Sequence, residues 1–170
     1  YSPRELGGNG WQRYADVEAV RVRPEGIAGA QRLLTEAWDR FSRPMAITEI
    51  HLNCDEDEQI RWFCEVWEAA IAVRSGGADL RAVTAWSLLG AYDWDCLVSE
   101  CRDHYEPGVF DVRDGTLRPT AMVNVLRELA RDGRSHHPAI GGRGWWHRPE
   151  RLTFPSHVHE GAAAESCSVA

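Results

Sequence analysis

The sequence contains no lysine; all 19 of its basic residues are arginine. That excludes every mechanism that needs a lysine, Schiff bases and the P-loop phosphate clamp among them. It has no run of 18 apolar residues, which excludes a membrane-spanning helix of ordinary length. Positive charge is in deficit, 19 basic against 26 acidic residues for a formal net charge of −7. This balance argues against nucleic acid or an anionic membrane as partner, since both favour basic patches. No internal repeat recurs at a fixed period. The five cysteines, Cys54, Cys64, Cys96, Cys101 and Cys167, are odd in number and match no zinc-site spacing. Cys96 and Cys101 form C-x4-C without a second pair. We read all five as reduced thiols. With no secretory leader pattern at Tyr1, they lean towards a cytoplasmic location. What is present is 170 residues, 44% hydrophobic and 26% charged. That is one domain's worth of chain, able to bury roughly 70% of its unfolded surface.

Along the chain, residues 1–24 hold clustered glycines and prolines and read as loop. From Gly26, apolar positions at Ile27, Leu33, Leu34, Trp38 and Phe41 recur near period 3.6 and predict a helix closed by Pro44. The apolar run Met45–Thr48 predicts a buried strand that ends at Glu49-Ile50-His51. A second helix begins in the acidic cluster 55–58, where carboxylates suit the positive end of the helix dipole. Ile60, Phe63, Cys64, Trp67 and Ile71 form its apolar face, and Ser75-Gly76-Gly77 stops it. A second buried strand is predicted over 82–89, an extended piece over 109–112, and a third helix from Thr120 to about Asp132. The order helix, strand, helix, strand, helix with wholly apolar strands predicts the α/β class with parallel strands and a right-handed crossover. Residues 1–132 form the structured part; 133–170 read as an irregular tail with its last ten residues disordered.

In such folds ligands bind at the carboxyl ends of the strands. One predicted strand ends at Glu49; the other ends at Trp86 and leads to Tyr92-Asp93-Trp94. A carboxylate serves glycosidic cleavage as nucleophile or acid/base. Indole faces suit the apolar faces of sugar rings, and an aspartate accepts from vicinal hydroxyls. Plainer readings stand beside these. A lone strand-end glutamate is often an exposed or ion-paired carboxylate. Trp86 inside an apolar run also reads as core. Trp38, Trp62 and Trp67 read as core on helix faces, and His51 as a hydrogen-bonded structural group. His136-His137 and the H-x-H of His157 and His159 have metal-ligand chemistry but little order around them, so no metal or other cofactor is expected.

Together, three ordered stretches resemble the C-terminal part of the family 1 glycoside hydrolases, the β-glucosidase-like (β/α)8 barrels. Arg23-Pro24-Glu25-Gly26-Ile27 is similar to Y-P-E-G-L. Pro44-Met45-Ala46-Ile47-Thr48-Glu49 is similar to P-x-x-I-T-E. Trp86-Ser87-Leu88-Leu89-Gly90-Ala91-Tyr92-Asp93-Trp94 is similar to W-S-L-L-D-N-F-E-W. Gly108–Val112 and Arg118-Pro119 extend the likeness, which covers about residues 17 to 130. The resemblance implies a (β/α)8 barrel of which this chain supplies strands seven and eight. It implies Glu49 as the nucleophile of a retaining O-glycoside hydrolase, Trp86, Asp93 and Trp94 as the sugar-holding residues, and a carbohydrate substrate. Two departures stand out: Ile50-His51 replace Asn-Gly after the nucleophile, and Asp93 replaces a glutamate one methylene longer.

The sequence also resembles a subgroup of such barrels carried in one chain with a dTDP-4-dehydrorhamnose reductase-like domain, although no G-x-G-x-x-G opens a helix here. A whole barrel needs at least ~200 residues, and the family's N-E-P acid/base motif is absent. The only other Glu-Pro, Glu106-Pro107, follows strand eight, where it cannot serve as that residue. The expectation is therefore a C-terminal piece of a longer hydrolase, inactive and poorly folded alone because its strands have open edges. The alternative is a non-catalytic sugar-binding or regulatory barrel attached to the reductase-like enzyme.

Overall fold

A computed structural model describes residues 6–15, 21–94 and 101–152. The chain divides into two compact units, residues 1–27 with 146–170, and residues 28–145.

In the first unit β1 (Leu6–Gly8) and β2 (Arg13–Ala15) pair as an antiparallel hairpin. This corrects the loop expected over 1–24. The same polar and glycine residues that suggested loop build its turn. The Asn9 side chain accepts the N–H groups of Trp11 and Gln12, and Gly10 takes the left-handed φ of +88° that a side chain disfavours. In the same unit, the Arg151 guanidinium donates to the Arg23 carbonyl. His157, His159 and Cys167, with the last ten residues, lie outside the described residues, as does Cys96 in the second unit.

The second unit holds the α/β part. It runs α1 (Gly29–Phe41), β3 (Met45–Ile50), α2 (Glu56–Ser75), β4 (Leu80–Ala85) and α3 (Ala121–Asp132). β3 and β4 pair in parallel, as expected, with register shifts after Met45 and between Ile47 and Ile50. α2 starts where its sequence dictates. Asp55 caps it by accepting the Glu58 N–H at 2.9 Å, and three carboxylates follow in the first turn. α3 ends at Gly133, left-handed at φ +74°. Its N-terminus is capped from α2, where Glu56 Oε1 accepts the Ala121 N–H at 2.7 Å.

The core joins α2 and α3 to one face of the strand pair. Ile60, Phe63, Cys64 and Val66 of α2 meet Met122, Val123, Val125 and Leu129 of α3. Ile47, Val83 and Ala85 pack against them. Each fully buried side chain of this kind contributes roughly 1.5–3 kcal/mol. The opposite face, bearing Ala46, Thr48, Ala82 and Thr84, is exposed. The strands were expected to be buried on both sides; only one side is covered here. β4 also ends earlier than expected, at Ala85, and Leu88 and Leu89 are exposed beyond it. α1 buries none of its residues, and Leu33 and Phe41 on its predicted apolar stripe are exposed. Four more two-residue strands form antiparallel pairs: β5 (Ala91–Tyr92) with β6 (Tyr105–Glu106), and β7 (Phe110–Asp111) with β8 (Arg118–Pro119).

Past Gly133 the chain is held by an ion pair of buried Glu58 with part-buried Arg61. Glu58 Oε1 lies 3.1 Å from Arg61 Nη1, and its other oxygen accepts the Trp145 N–H at 3.2 Å. Arg61 Nε donates to the Ala139 carbonyl at 2.7 Å. Removing one partner of a buried pair leaves the other charge uncompensated. Glu58→Ala is expected to cost about 2–3 kcal/mol in urea unfolding, with the Asp57 carboxylate 3.7 Å from Arg61 limiting the loss.

Candidate functional site

The parallel pairing of β3 and β4 brings the sequence-predicted residues to one end of the strand pair. Glu49 is the next-to-last residue of β3 and is exposed. Trp86 follows β4 directly, and its N–H donates to the Ile50 carbonyl at 3.1 Å. From Trp86 the chain passes through β5 to Trp94, which returns to stack on Trp86 with ring centroids 5.1 Å apart and planes tilted by 34°. Trp94 is 41% exposed, so the stack presents an indole to solvent. The two tryptophans thus form one aromatic platform at the strand ends. Among the carboxylates at this end, Glu49 is open to solvent, while Asp93 and Glu106 are buried.

Asp93 faces the chain rather than the open surface. It is 7% exposed, with φ at +54°, and its two oxygens accept the N–H groups of His104 at 2.9 Å and Arg102 at 3.1 Å. These amide bonds, that of His104 foremost, hold its carboxyl below the ordinary 3.8. A group with a depressed folded-state pKa adds stability above its ordinary pKa, and that stability is lost as pH falls through the folded value. Loop 101–104 is therefore expected to loosen in acid below about pH 4. Asp93→Asn turns one acceptor into an amide donor opposed to a backbone N–H. Hydrogen exchange at Arg102 and His104 is expected to quicken on the order of tenfold or more at neutral pH.

Two further residues belong to this end. His51 lies edge-on to Trp86, centroids 5.6 Å apart, with Nδ1 3.1 Å from the Trp86 carbonyl oxygen. Its Nε2 lies 2.6 Å from Oε2 of buried Glu106. The structural reading of His51 holds, but its partner is 55 residues away and carries no sequence signal. Tyr92 and Tyr105 pack edge to face at 4.9 Å, with the Arg113 guanidinium 4.5 Å above Tyr105.

Two thiols, Cys54 and Cys64, are held in the protonated form. Burial first, then the carboxylates of Asp55, Glu58 and Glu106, pushes Cys54 up to about 12. Burial and the carboxylates of Glu68 and Glu128 push Cys64 to about 11. Neither supplies a thiolate near neutrality. Among the described residues no three His, Cys, Asp or Glu side chains gather as a metal cluster. The His137 ring caps a short 3-10 turn by accepting the Ala139 N–H, and the His136 N–H donates to Glu128. No helix among the described residues is long and apolar enough to cross a membrane.

No protein-family model matches the sequence, and no curated protein matches it. Among solved structures the chain is similar to the beta-glycosidase from Pyrococcus horikoshii. The TM-score is 0.54 at 20% identity, over 84% of this chain and 33% of that one. The chain thus spans about a third of the length of that protein. At this identity the likeness is one of fold.

Proposed function

We propose that the chain is the C-terminal part of a β-glucosidase-like barrel that hydrolyses O-glycosidic bonds with retention. The carrying observation is the convergence at one strand end. Parallel β3 and β4 bring exposed Glu49 and the Trp86–Trp94 platform to their carboxyl ends, where α/β folds bind ligands. In this reading β3 and β4 are strands seven and eight. The open face with Ala46, Thr48, Ala82 and Thr84 looks into the barrel, and the unburied stripe of α1 meets a helix supplied upstream. The partial overlap with a beta-glycosidase supports the same arrangement.

Glu49 attacks the anomeric carbon and forms a glycosyl ester. An upstream carboxylic acid, ~5–5.5 Å from it, protonates the leaving oxygen and then activates water. Trp86 and Trp94 stack on the sugar, and Asp93, held by its own loop, is the acceptor for its hydroxyls. The substrate is a carbohydrate, and a reductase-like sugar-nucleotide domain is a fused or associated partner. Expression of the longest reading frame containing these residues on a panel of nitrophenyl glycosides tests this. Measurable hydrolysis together with an upstream N-E-P at a strand end supports it; silence on every glycoside overturns it.

One observation favours a second reading, a non-catalytic sugar-binding or regulatory barrel. The Asp93 carboxylate is buried and engaged by the amides of its own loop. Saturable sugar binding without turnover would favour that reading.

A further inference from the structure

One side chain ties the end of β3 to both β4 and β6. The Trp86 carbonyl oxygen can only accept, so His51 Nδ1 carries a hydrogen and donates to it. Nε2 and Glu106 Oε2, 2.6 Å apart, then share one proton between them. The His51 ring is therefore fixed at both nitrogens. Glu106 is 5% exposed, and its Oε1 is buried with no hydrogen-bond partner among the described residues. A cavity of about 10 Å³ adjoins His51 and Trp86, room for about one water.

A half-satisfied buried carboxylate is a poor means of stabilising a fold. Apolar residues of the same volume serve packing as well or better. What the pair provides instead is direction. It holds the His51 ring edge-on to Trp86, at 69° between planes, and it anchors the Trp86 backbone where the chain leaves β4. Trp86 in turn carries Trp94.

We propose that His51 and Glu106 are a positioning pair for the Trp86–Trp94 platform: Glu106 orients the His51 ring, and His51 holds Trp86 by its carbonyl oxygen and its ring edge. This goes beyond the glycosidase reading and is tested without any sugar. Two indoles this close couple in near-ultraviolet circular dichroism, and the spectrum minus that of Trp94→Phe isolates their band. The experiment uses the longest reading frame that contains these residues. Glu106→Gln keeps both bonds, because its amide donates to Nε2 of a neutral ring while Nδ1 still donates to Trp86. The band is expected to persist. The double variant H51F/E106M keeps the bulk and removes both polar groups, a change close to neutral for folding. Its far-ultraviolet spectrum is expected to match the wild type while the band falls at least twofold. A folded double variant with the full band overturns the proposal, as does loss of the band in Glu106→Gln. A second measurement needs no variant to fold. Nitrogen-15 spectra of the His51 ring are expected to show hydrogen on Nδ1, and a bare Nδ1 overturns the proposal as well.

Discussion

On the proposed glycosidase mechanism, Glu49→Gln in the longest reading frame that contains these residues is expected to lower kcat by on the order of 10⁴-fold or more, with KM little changed. The substitution keeps size and hydrogen-bonding reach, so ground-state sugar binding is largely preserved. On the proposed mechanism it removes the nucleophile, because a neutral amide oxygen does not form the glycosyl ester on which retention depends. A 10⁴-fold loss corresponds to about 5.4 kcal/mol of transition-state stabilisation. Steady-state kinetics on the best nitrophenyl glycoside measure it. Mass spectrometry of the quenched wild-type reaction is expected to find one glycosyl unit on the peptide bearing Glu49. A variant that retains most of its turnover would remove Glu49 from the mechanism. Exposure separates the two glutamates at this end. Glu49 is open to solvent, whereas Glu106 is buried against His51 and cannot meet a sugar without leaving that contact.

The long elements were legible because their signals are local. α2 announces itself by Asp55, the acidic first turn and an apolar face at helical spacing, and α3 by the proline that precedes Thr120. β3 was legible as an apolar run after a proline, and Glu49 and Trp86 followed as strand-end residues. What lay hidden depends on partners far along the chain. Of the two-residue strands only β7 falls within an expected extended piece, 109–112; β5, β6 and β8 carry no periodicity, and pairing alone defines them, as between Phe110 and Pro119. The Glu106–His51 contact and the Asp93 bonds to loop 101–104 rest on register, not pattern. The exposed sheet face was misjudged for a related reason. An apolar run shows that a strand suits burial on both sides, not that the same chain supplies both covers.

Gly108→Ala is expected to be a strongly damaging single-methyl change in the platform region, costing roughly 3 kcal/mol or more in urea unfolding. A Cβ there would lie 2.5 Å from the Leu89 carbonyl carbon, 2.7 Å from the Ser87 carbonyl oxygen and 2.8 Å from the Gly90 nitrogen. All three are backbone atoms, so no side chain can swing aside to make room. The segments also cannot part cheaply. Val109 and Phe110 donate to the Ser87 and Leu88 carbonyls at 2.9 Å, and Gly90 donates to Phe110 at 3.0 Å. A displacement that relieves the methyl group weakens those bonds, each worth about 1 kcal/mol net. Gly133→Ala is the control. Gly133 has a left-handed φ of +74° and nothing within 4 Å of an added Cβ, so backbone strain of roughly 1–2 kcal/mol is its only cost. Gly108→Ala should therefore lower the urea midpoint more than Gly133→Ala, and it alone should disturb the Trp86–Trp94 band, because residues 87–90 link β4 to the strand that leads to Trp94. Equal stability of the two variants would mean that the chain does not approach itself this closely at Gly108. The path from Trp86 to Trp94, and with it the platform, would then take another course.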